Sequence, residues 1–288
     1  MNWINAVSQG ILLGGLYALF AAGLSLIFGV MRLVNIAHGD LIVLAAYLAL
    51  VVVQTTGLHP LAAAVVVVPF MAVIGYGLQR FLLNPTLGKD LLSPLLVTFG
   101  LSVILQNGLL AGFTADSRRL SAGLIETASI DVLPGLTVGV LPVVMFVVAV
   151  LVIAGTEIVF SRTSLGRAFR ATSDDPEIAQ LMALDRRHVY ALAMALSAAI
   201  VAIAGIFLAI RTNFDPSSGP ARLIFGFEAV IIGGLGNLWG TLAGGIVLGV
   251  AQTIGAQVSP GWQVLAGHLI FFLVLALRPR GLFPRMDG

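Results

Sequence analysis

Three polar side chains lie close together between two long apolar runs: Asn35, His38 and Asp40. Their amide, imidazole and carboxylate groups offer the hydrogen-bond donors and acceptors that bind a small polar solute. Only 14 residues separate Asp40 from Thr55, roughly 21 Å of helix at 1.5 Å per residue, which is too short to cross a bilayer. The second crossing must therefore include part of this segment. Because polar groups at membrane depth usually face a cavity or a partner, we expect the segment, bent at Gly39, to line a solute path.

These polar residues also allow other interpretations. The segment around Asn35 could be a cytoplasmic turn, with Asp40 paired to Arg32 and Asn35 capping the next helix. Glu228 is another isolated acid in apolar surroundings. Glu228 either lines the same path, opposite the Asn35 to Asp40 segment, or pairs with Arg222. The residues alone leave these alternatives open.

A glycine series follows Glu228 and comprises Gly233, Gly234, Gly236, Gly240, Gly244, Gly245 and Gly249. It is not a phosphate-binding loop, because no Lys-Ser/Thr pair follows it and the single lysine is Lys89. Spacings of four residues, as in Gly240/Gly244 and Gly245/Gly249, favour close helix contacts in lipid. We expect this face to pack against another helix.

Composition excludes several classes of protein. Of the 288 residues, 59% are hydrophobic and only 10% are charged, against about 25% charged in soluble domains. A soluble enzyme is therefore excluded. The lack of Cys excludes disulfides, a thiol nucleophile and a Cys-ligated metal, and no convergent nucleophile, base or metal set suggests a membrane enzyme. The scattered net charge of +2 gives no basis for binding nucleic acid.

The apolar runs predict an all-α membrane bundle in a single domain, residues 1–288, because only helices satisfy the backbone here within lipid. The first run lacks a preceding basic segment, so we expect a mature span and not a cleaved signal. Eight or ten crossings remain possible, the former if 222–236 is re-entrant. The nine expected crossings lie near 9–31, 36–54, 61–80, 91–113, 137–159, 188–210, 222–236, 240–257 and 262–277.

Arginine placement predicts the orientation. The loop 161–187 and the tail, with Arg278, Arg280 and Arg285, are rich in arginine and should be cytoplasmic by the positive-inside bias. Arg80 and Lys89 mark a third cytoplasmic loop. The N-terminus is then outside and the C-terminus inside. The outer loop 114–134 fits less cleanly, since it carries Arg118 and Arg119.

The loop 161–187 predicts helical structure with an apolar face. Leu165, Ala168 and Phe169 recur at helical spacing, and Asp175-Pro176-Glu177 is typical of a helix start, here running to about Leu184. The alternative is a solvated loop that faces anionic lipid. Apolar residues at Phe169, Ile178, Leu181 and Met182 favour a docking surface instead.

An inverted repeat is a further expectation. Ile27-Phe28 precede Arg32 with the same spacing as Ile206-Phe207 precede Arg211, and the two runs cross in opposite directions. Crossings one to four would then match crossings six to nine, an arrangement in which transporters bind substrate between the halves.

The chain resembles the integral permeases of bacterial branched-chain amino acid ABC transporters, the Liv type. The resemblance covers nearly the whole chain. The chain differs from the family at two places. Family members often carry a glycine near Ala183 and a lysine near the segment Phe225 to Glu228. The motifs that carry it are 15–19 with 23–40, Leu165-Gly166-Arg167-Ala168 to Asp175-Pro176-Glu177, Gly233-Gly234-Leu235-Gly236, and Arg278-Pro279-Arg280-Gly281-Leu282-Phe283.

The resemblance implies an importer subunit for branched-chain or other hydrophobic amino acids in the bacterial inner membrane. It implies two cytoplasmic ATPase subunits that hold ATP and Mg²⁺, a periplasmic binding protein and a homologous second permease, while the chain itself carries no cofactor. For pairing with the second permease, the glycine spacing of the Gly240–Gly249 face would allow close helix contact. The cytoplasmic loop would dock on the ATPase. The residues expected to couple to it are Gly166, Arg167, Phe169, Asp175, Pro176, Glu177 and Leu181; those expected along the path are Asn35, His38, Gly39, Asp40 and Glu228.

Two other functions remain open. Relatives of this family also move urea and short amides, so the substrate could be one of these. A self-sufficient secondary transporter would use His38, Asp40 and Glu228 as a proton or cation relay. The docking-type loop and the scarcity of intramembrane acids favour the importer.

Overall fold

A computed structural model describes residues 2–87, 92–133 and 136–283. Lys89 and Arg285, both used above to orient the chain, lie outside these ranges. The described helices are α1 (Asn2–Met31), α2 (His38–Thr56), α3 (Ala64–Gly77) with a π-helical extension (Leu78–Leu83), α4 (Leu92–Phe113), α5 (Leu124–Thr127), α6 (Val140–Arg162), α7 (Ser164–Asp174), α8 (Pro176–Leu181), α9 (Arg186–Arg211), α10 (Gly219–Gly233), α11 (Leu238–Val258) and α12 (Trp262–Leu277).

Seven described helices are long and apolar enough to cross a membrane, namely α1, α2, α3 with its extension, α4, α6, α9 and α11. The chain is thus a multi-pass helical membrane protein, as its composition predicts. Helices α10 and α12 occupy the seventh and ninth expected crossings but have only 15 and 16 residues. At 1.5 Å per residue each is about 23 Å long, shorter than the roughly 30 Å hydrocarbon core.

The segment 114–139 is not purely helical, which corrects the all-α prediction locally. Strands β1 (Ser129–Leu133) and β2 (Leu136–Gly139) form an antiparallel hairpin. The two arginines that fitted the orientation poorly have acidic partners here: Arg119 contacts Glu126 at 2.7 Å and Arg118 contacts Asp116 at 3.6 Å. Both arginines therefore have acidic partners within the same segment.

Glycines bring α1 and α11 into backbone contact. A Cβ added at Gly245 would lie 2.6 Å from the Gly14 carbonyl oxygen, and one at Gly249 would collide with the Gly10 carbonyl. Gly244 approaches α10 in the same way, at the Ala229 carbonyl. The predicted packing role is confirmed, but the glycine face of α11 packs against helices of the same chain. The expectation that it is available for pairing with a second permease is therefore wrong, since no Cβ-sized space remains there.

The C-terminal segment around Leu282 and Phe283 forms hydrogen bonds with the end of α10, just before the glycine turn. The Leu282 amide donates to the Ile232 carbonyl at 2.8 Å, and the Phe283 amide donates to the Gly233 carbonyl at 3.1 Å. Asn237 joins the same contact, because its side-chain amide donates to the Phe283 carbonyl at 2.9 Å. These bonds satisfy backbone carbonyls at the end of α10 and join the glycine series to the tail motif.

Candidate functional site

The first break in the bundle places the start of α2 deep beside α1. After Met31 the chain turns at Arg32, which has a left-handed φ of 51°, and runs back without helix to His38. The His38 ring, through Nε2, is 2.8 Å from the Phe20 carbonyl oxygen. Phe20 lies 11 residues before the end of α1, about 16 Å of helix. Helix α2 therefore begins well inside the bundle, and His38 to Asp40 belong to it.

Asn35 forms the turn that precedes α2. Its side-chain oxygen accepts from the Ala37 amide at 3.0 Å, and its backbone carbonyl accepts from the His38 amide at 3.2 Å. Asn35 and His38 are both fully buried. The Asn35 side chain thus stabilises the turn before α2, but it does not cap the helix, because the N-cap residue is Ala37 and it has no side-chain cap bond. The turn packs on α4, where the Ile36 amide donates to the Thr98 hydroxyl at 3.3 Å.

Asp40 connects α2 to α4 through two hydrogen bonds and is not paired with Arg32. Its Oδ2 accepts from the Ser102 hydroxyl at 2.5 Å, and its Oδ1 accepts from the Gln106 side-chain amide at 3.0 Å. Asp40 is 1% exposed. Sequence reasoning missed Ser102 and Gln106, although a polar pair four residues apart in a charge-free span was the available signal.

The starts of α2 and α10 meet beside this carboxylate. A Cβ added at Gly39 would collide with the Gly219 carbonyl, and one at Gly219 would collide with the Asp40 side chain. Gly39 is thus required for close approach of two helices, and not for the bend expected there. Helix N-termini carry partial positive charge, and two of them meet beside the Asp40 carboxylate. We call Gly39, Asp40, Ser102, Gln106 and Gly219 the junction.

The second break leads into α10 from the other side of the bundle. After Arg211 the chain is non-helical to Ser218, and the Phe214 backbone pairs with Arg118 at 2.8 and 3.0 Å. Asp215 stabilises the turn by accepting from the amide and hydroxyl of Ser217 at 2.9 and 2.5 Å. The segment between α9 and α10 is therefore an ordered connection that is held by its own hydrogen bonds and by Arg118.

A small cavity opens next to the junction. Its volume is about 150 Å³, and Gln106, which contacts Asp40, forms part of its wall. The other lining residues are Asn107, Leu110, Ala115, Asp215, Pro216 and Ser217. Amide, carboxylate and hydroxyl groups thus surround a space of single-molecule size beside a buried carboxylate, an arrangement that can bind the polar end of a small solute.

Glu228 is bonded to α12 and not to Arg222 or the junction. Its carboxylate contacts the His268 ring, and its side chain is only 5% exposed. It follows Gly219 by nine residues, about 14 Å of helix. Nearby, the Tyr17 hydroxyl donates to the Gln252 side-chain oxygen at 2.5 Å. The alternative that paired Glu228 with Arg222 is wrong, and hydrogen bonds do not connect Glu228 to the Asn35 to Asp40 segment.

The hydrogen bonds do not assemble the proposed relay. His38 contacts a backbone carbonyl, Asp40 contacts α4, and Glu228 contacts α12. Within the described part of the chain no three His, Asp or Glu residues are grouped so that they could hold a metal ion. The three groups considered for a relay therefore have separate hydrogen-bond partners.

The predicted docking segment forms two helices with different surfaces. In α7, Phe169 is fully buried against the Phe160 ring, with centroids 5.2 Å apart, so it supports the surface from beneath. Gly166 packs on the Val159 and Phe160 carbonyls, while Arg167 is exposed.

Helix α8 begins as its sequence predicts. Asp175 accepts from the backbone amides of Glu177 and Ile178 at 2.9 and 3.0 Å, with Pro176 in the first turn. The helix ends at Leu181, three residues before the predicted Leu184. Its outer face is apolar and exposed: Ile178, Leu181 and Met182 are 58%, 86% and 74% exposed.

Comparisons with known proteins agree with this architecture. Residues 6–277 match the family described as "Branched-chain amino acid transport system / permease component". The high-affinity branched-chain amino acid transport system permease protein BraD of Pseudomonas aeruginosa is 28% identical over 99% of this chain and 97% of its own length. The high-affinity branched-chain amino acid transport system permease protein LivH of Escherichia coli strain K12 is 25% identical over 100% of this chain and 97% of its own length. The permease protein LivM of the same system and strain is 28% identical over 49% of this chain and 34% of its own length.

Proposed function

The chain belongs to the permease-component family of branched-chain amino acid transport systems, and on that premise we propose that it is the membrane subunit of an ABC importer for branched-chain or other hydrophobic amino acids. The observation that carries this proposal is the family match across residues 6–277. The chain is a transport component and not an enzyme. ATP and Mg²⁺ bind separate ATPase subunits.

The substrate passes the junction. Entering from the cavity beside Gln106, the ammonium group of an amino acid replaces the Gln106 amide on Asp40, while Asn107 and Ser217 hydrogen-bond the rest of the polar end. The partial positive charge at the start of α10 favours the substrate carboxylate. Leu110 and the surrounding helices contact the apolar side chain. Binding at the junction is weak, because a separate binding protein supplies the affinity.

Helices α7 and α8 couple the chain to the ATPase. The support is the exposed apolar face of Ile178, Leu181 and Met182 on a short helix whose start is fixed by Asp175. Exposed apolar patches of this kind mark interaction sites. Phe169 positions α7 from beneath and does not itself contact the ATPase.

Two homologous permeases form the membrane part of the importer. LivH and LivM carry the same system name in one strain, and both are similar to this chain. The pair lies in the bacterial inner membrane among its lipids, with the N-terminus of this chain outside, where the binding protein docks, and the C-terminus in the cytoplasm.

The two halves of the chain form an inverted repeat, with α1–α4 corresponding to α9–α12. Each half starts with a long buried helix, a break and a helix that begins inside the bundle. Equivalent contacts support the correspondence: Gly245 packs α11 on α1, and Gly75 packs α3 on α9, where a Cβ would lie 2.6 Å from Ala198 Cβ. Substrate then binds between the halves, where the two breaks meet.

Reconstitution tests the proposed function. The chain, its partner permease and the ATPases are placed in proteoliposomes with the binding protein outside and ATP inside. Radiolabelled leucine should accumulate only with ATP, and urea should not. Accumulation of leucine by the purified chain without ATP or partners would contradict the importer, and uptake of urea in place of leucine would contradict the substrate.

A further inference from the structure

A second polar cavity lies at the other end of the bundle, between α7 and the ends of α1 and α6. Its volume is about 220 Å³. Ser25 lines it from α1, Glu157 and Phe160 from α6, and Arg170 from α7, while Asn237 closes it from the turn before α11. None of these residues belongs to the junction, and the transport path described above does not use this space.

The polar groups of this cavity are incompletely paired. Glu157 and Arg170 both line it, yet none of the ion pairs in the described ranges joins them. The Arg170 guanidinium donates to the Phe160 carbonyl. Ser25 is 1% exposed, and its hydroxyl oxygen has no hydrogen-bond partner. A buried hydroxyl without a partner is costly and indicates a missing one.

We propose that this cavity binds a free amino acid from the cytoplasmic side. The carboxylate of the amino acid pairs with Arg170, its ammonium group pairs with Glu157, and the Ser25 hydroxyl donates to the carboxylate. Leu26, Phe160 and Leu238 line the rest of the space and contact an apolar side chain. The choice of leucine or a similar ligand rests on the proposed function; the zwitterionic character follows from the two opposite charges.

The size of the cavity agrees with such a ligand. At roughly 30 Å³ of liquid per water molecule, 220 Å³ corresponds to about seven water molecules. That is enough for one amino acid. The cavity therefore matches a free amino acid both in the charges of its lining and in its volume.

Occupancy of this cavity would fix the position of α7. Arg170 lies on α7, and the Ser173 hydroxyl of the same helix already donates to the Gly29 carbonyl of α1 at 2.8 Å. A ligand held by α1, α6 and α7 adds to this contact and resists movement of the coupling segment. Amino acid that accumulates inside would thus slow its own import.

Transport by the reconstituted importer tests this regulation. Proteoliposomes are loaded with 0 to 50 mM leucine together with ATP, and the initial rates of ATP hydrolysis and labelled leucine uptake are measured. Lumenal leucine should lower both rates several-fold. Glu157→Gln and Ser25→Ala should raise the half-inhibitory concentration about tenfold, the effect of one lost hydrogen bond to a charged group. The control Ser8→Ala, at the other end of α1, should behave as wild type. Two results would overturn the proposal. One is that both rates stay unchanged at all lumenal leucine concentrations, and the other is that leucine inhibits Glu157→Gln at the same concentrations as wild type.

Equilibrium binding separates this proposal from the proposed function. The purified full chain in phosphatidylcholine nanodiscs should bind labelled leucine saturably, and Glu157→Gln should weaken binding about tenfold, in a measurement that involves no transport step. Absence of leucine binding would refute the site. Native mass spectrometry that finds an ethanolamine phospholipid retained by wild type and lost from Glu157→Gln, without leucine binding, would assign the cavity to a lipid headgroup and likewise overturn the proposal.

Discussion

Gly39→Ala should disable transport by separating the two helix starts at the junction. A Cβ at this position would overlap the carbonyl of Gly219, which is backbone and cannot rotate away as a flexible side chain would. Overpacking of this kind costs about 1–3 kcal/mol, so the start of α10 must move or the chain loses that stability. Either outcome disturbs the contact of Asp40 with Gly219. We expect leucine uptake by the reconstituted importer to fall at least tenfold.

A matched substitution separates this effect from the general consequence of replacing a helical glycine. Gly100 lies within α4, and nothing lies within 4 Å of a Cβ added there. Gly100→Ala should raise stability by about 0.5–1 kcal/mol, because alanine favours helix, and should leave uptake near the wild-type rate. Thermal unfolding in nanodiscs and uptake are measured for both variants. If Gly39→Ala unfolds at the wild-type temperature and transports normally, the close contact at the junction is refuted.

Three further predictions concern the same chain. Asp40→Asn keeps the shape but removes the charge, so uptake should fall about 10-fold to 100-fold, the range for a hydrogen bond to a charged group, without loss of membrane-inserted protein; wild-type uptake would contradict a role for the carboxylate. Leu181→Asp, at a side chain 86% exposed, should leave the amount of protein unchanged and abolish coupling of ATP hydrolysis to uptake, whereas Phe169→Asp should instead lower the amount of folded protein, as quantified by fluorescence-detected size exclusion; the reverse pattern would refute the assigned surfaces. Ala183→Gly should raise the thermal midpoint by relieving a φ of 61°, a gain of up to about 1 kcal/mol, while Ala171→Gly within α7 should lower it; a lowered midpoint for Ala183→Gly would count against strain there.

Local features of the fold could be predicted from the sequence because neighbours in the chain determine them. The Asp175 cap depends on the two backbone amides that follow it in α8, and the start of α2 near His38 follows from the number of apolar residues left before Thr55. The left-handed φ at Ala183 explains why a glycine suits that position. In each case the cause lies within a few residues of the effect.

Contacts between distant segments could not be predicted in the same way. Asp40 pairs with Ser102 and Gln106, more than 60 residues away, and a lone sequence gives no register between α2 and α4. The amphipathic spacing of α7 indicated an apolar face at Phe169 but not which surface would cover it. Similarly, the glycines of α11 predicted close packing without identifying α1 as the partner.

Labelling of Ser102→Cys would test most directly whether the junction is the translocation site. The chain has no native Cys, so the introduced thiol beside Asp40 is the only thiol in this chain, and its labelling is read on this chain after the subunits are separated. In the reconstituted importer, a small membrane-impermeant thiol reagent should modify it from the outside in the resting state, and excess binding protein carrying leucine should slow that reaction. When the ATP-bound state is trapped, the reactivity should change at least tenfold. A thiol that stays unreactive in every state, or reacts at one unchanging rate, would show that substrate does not pass the junction.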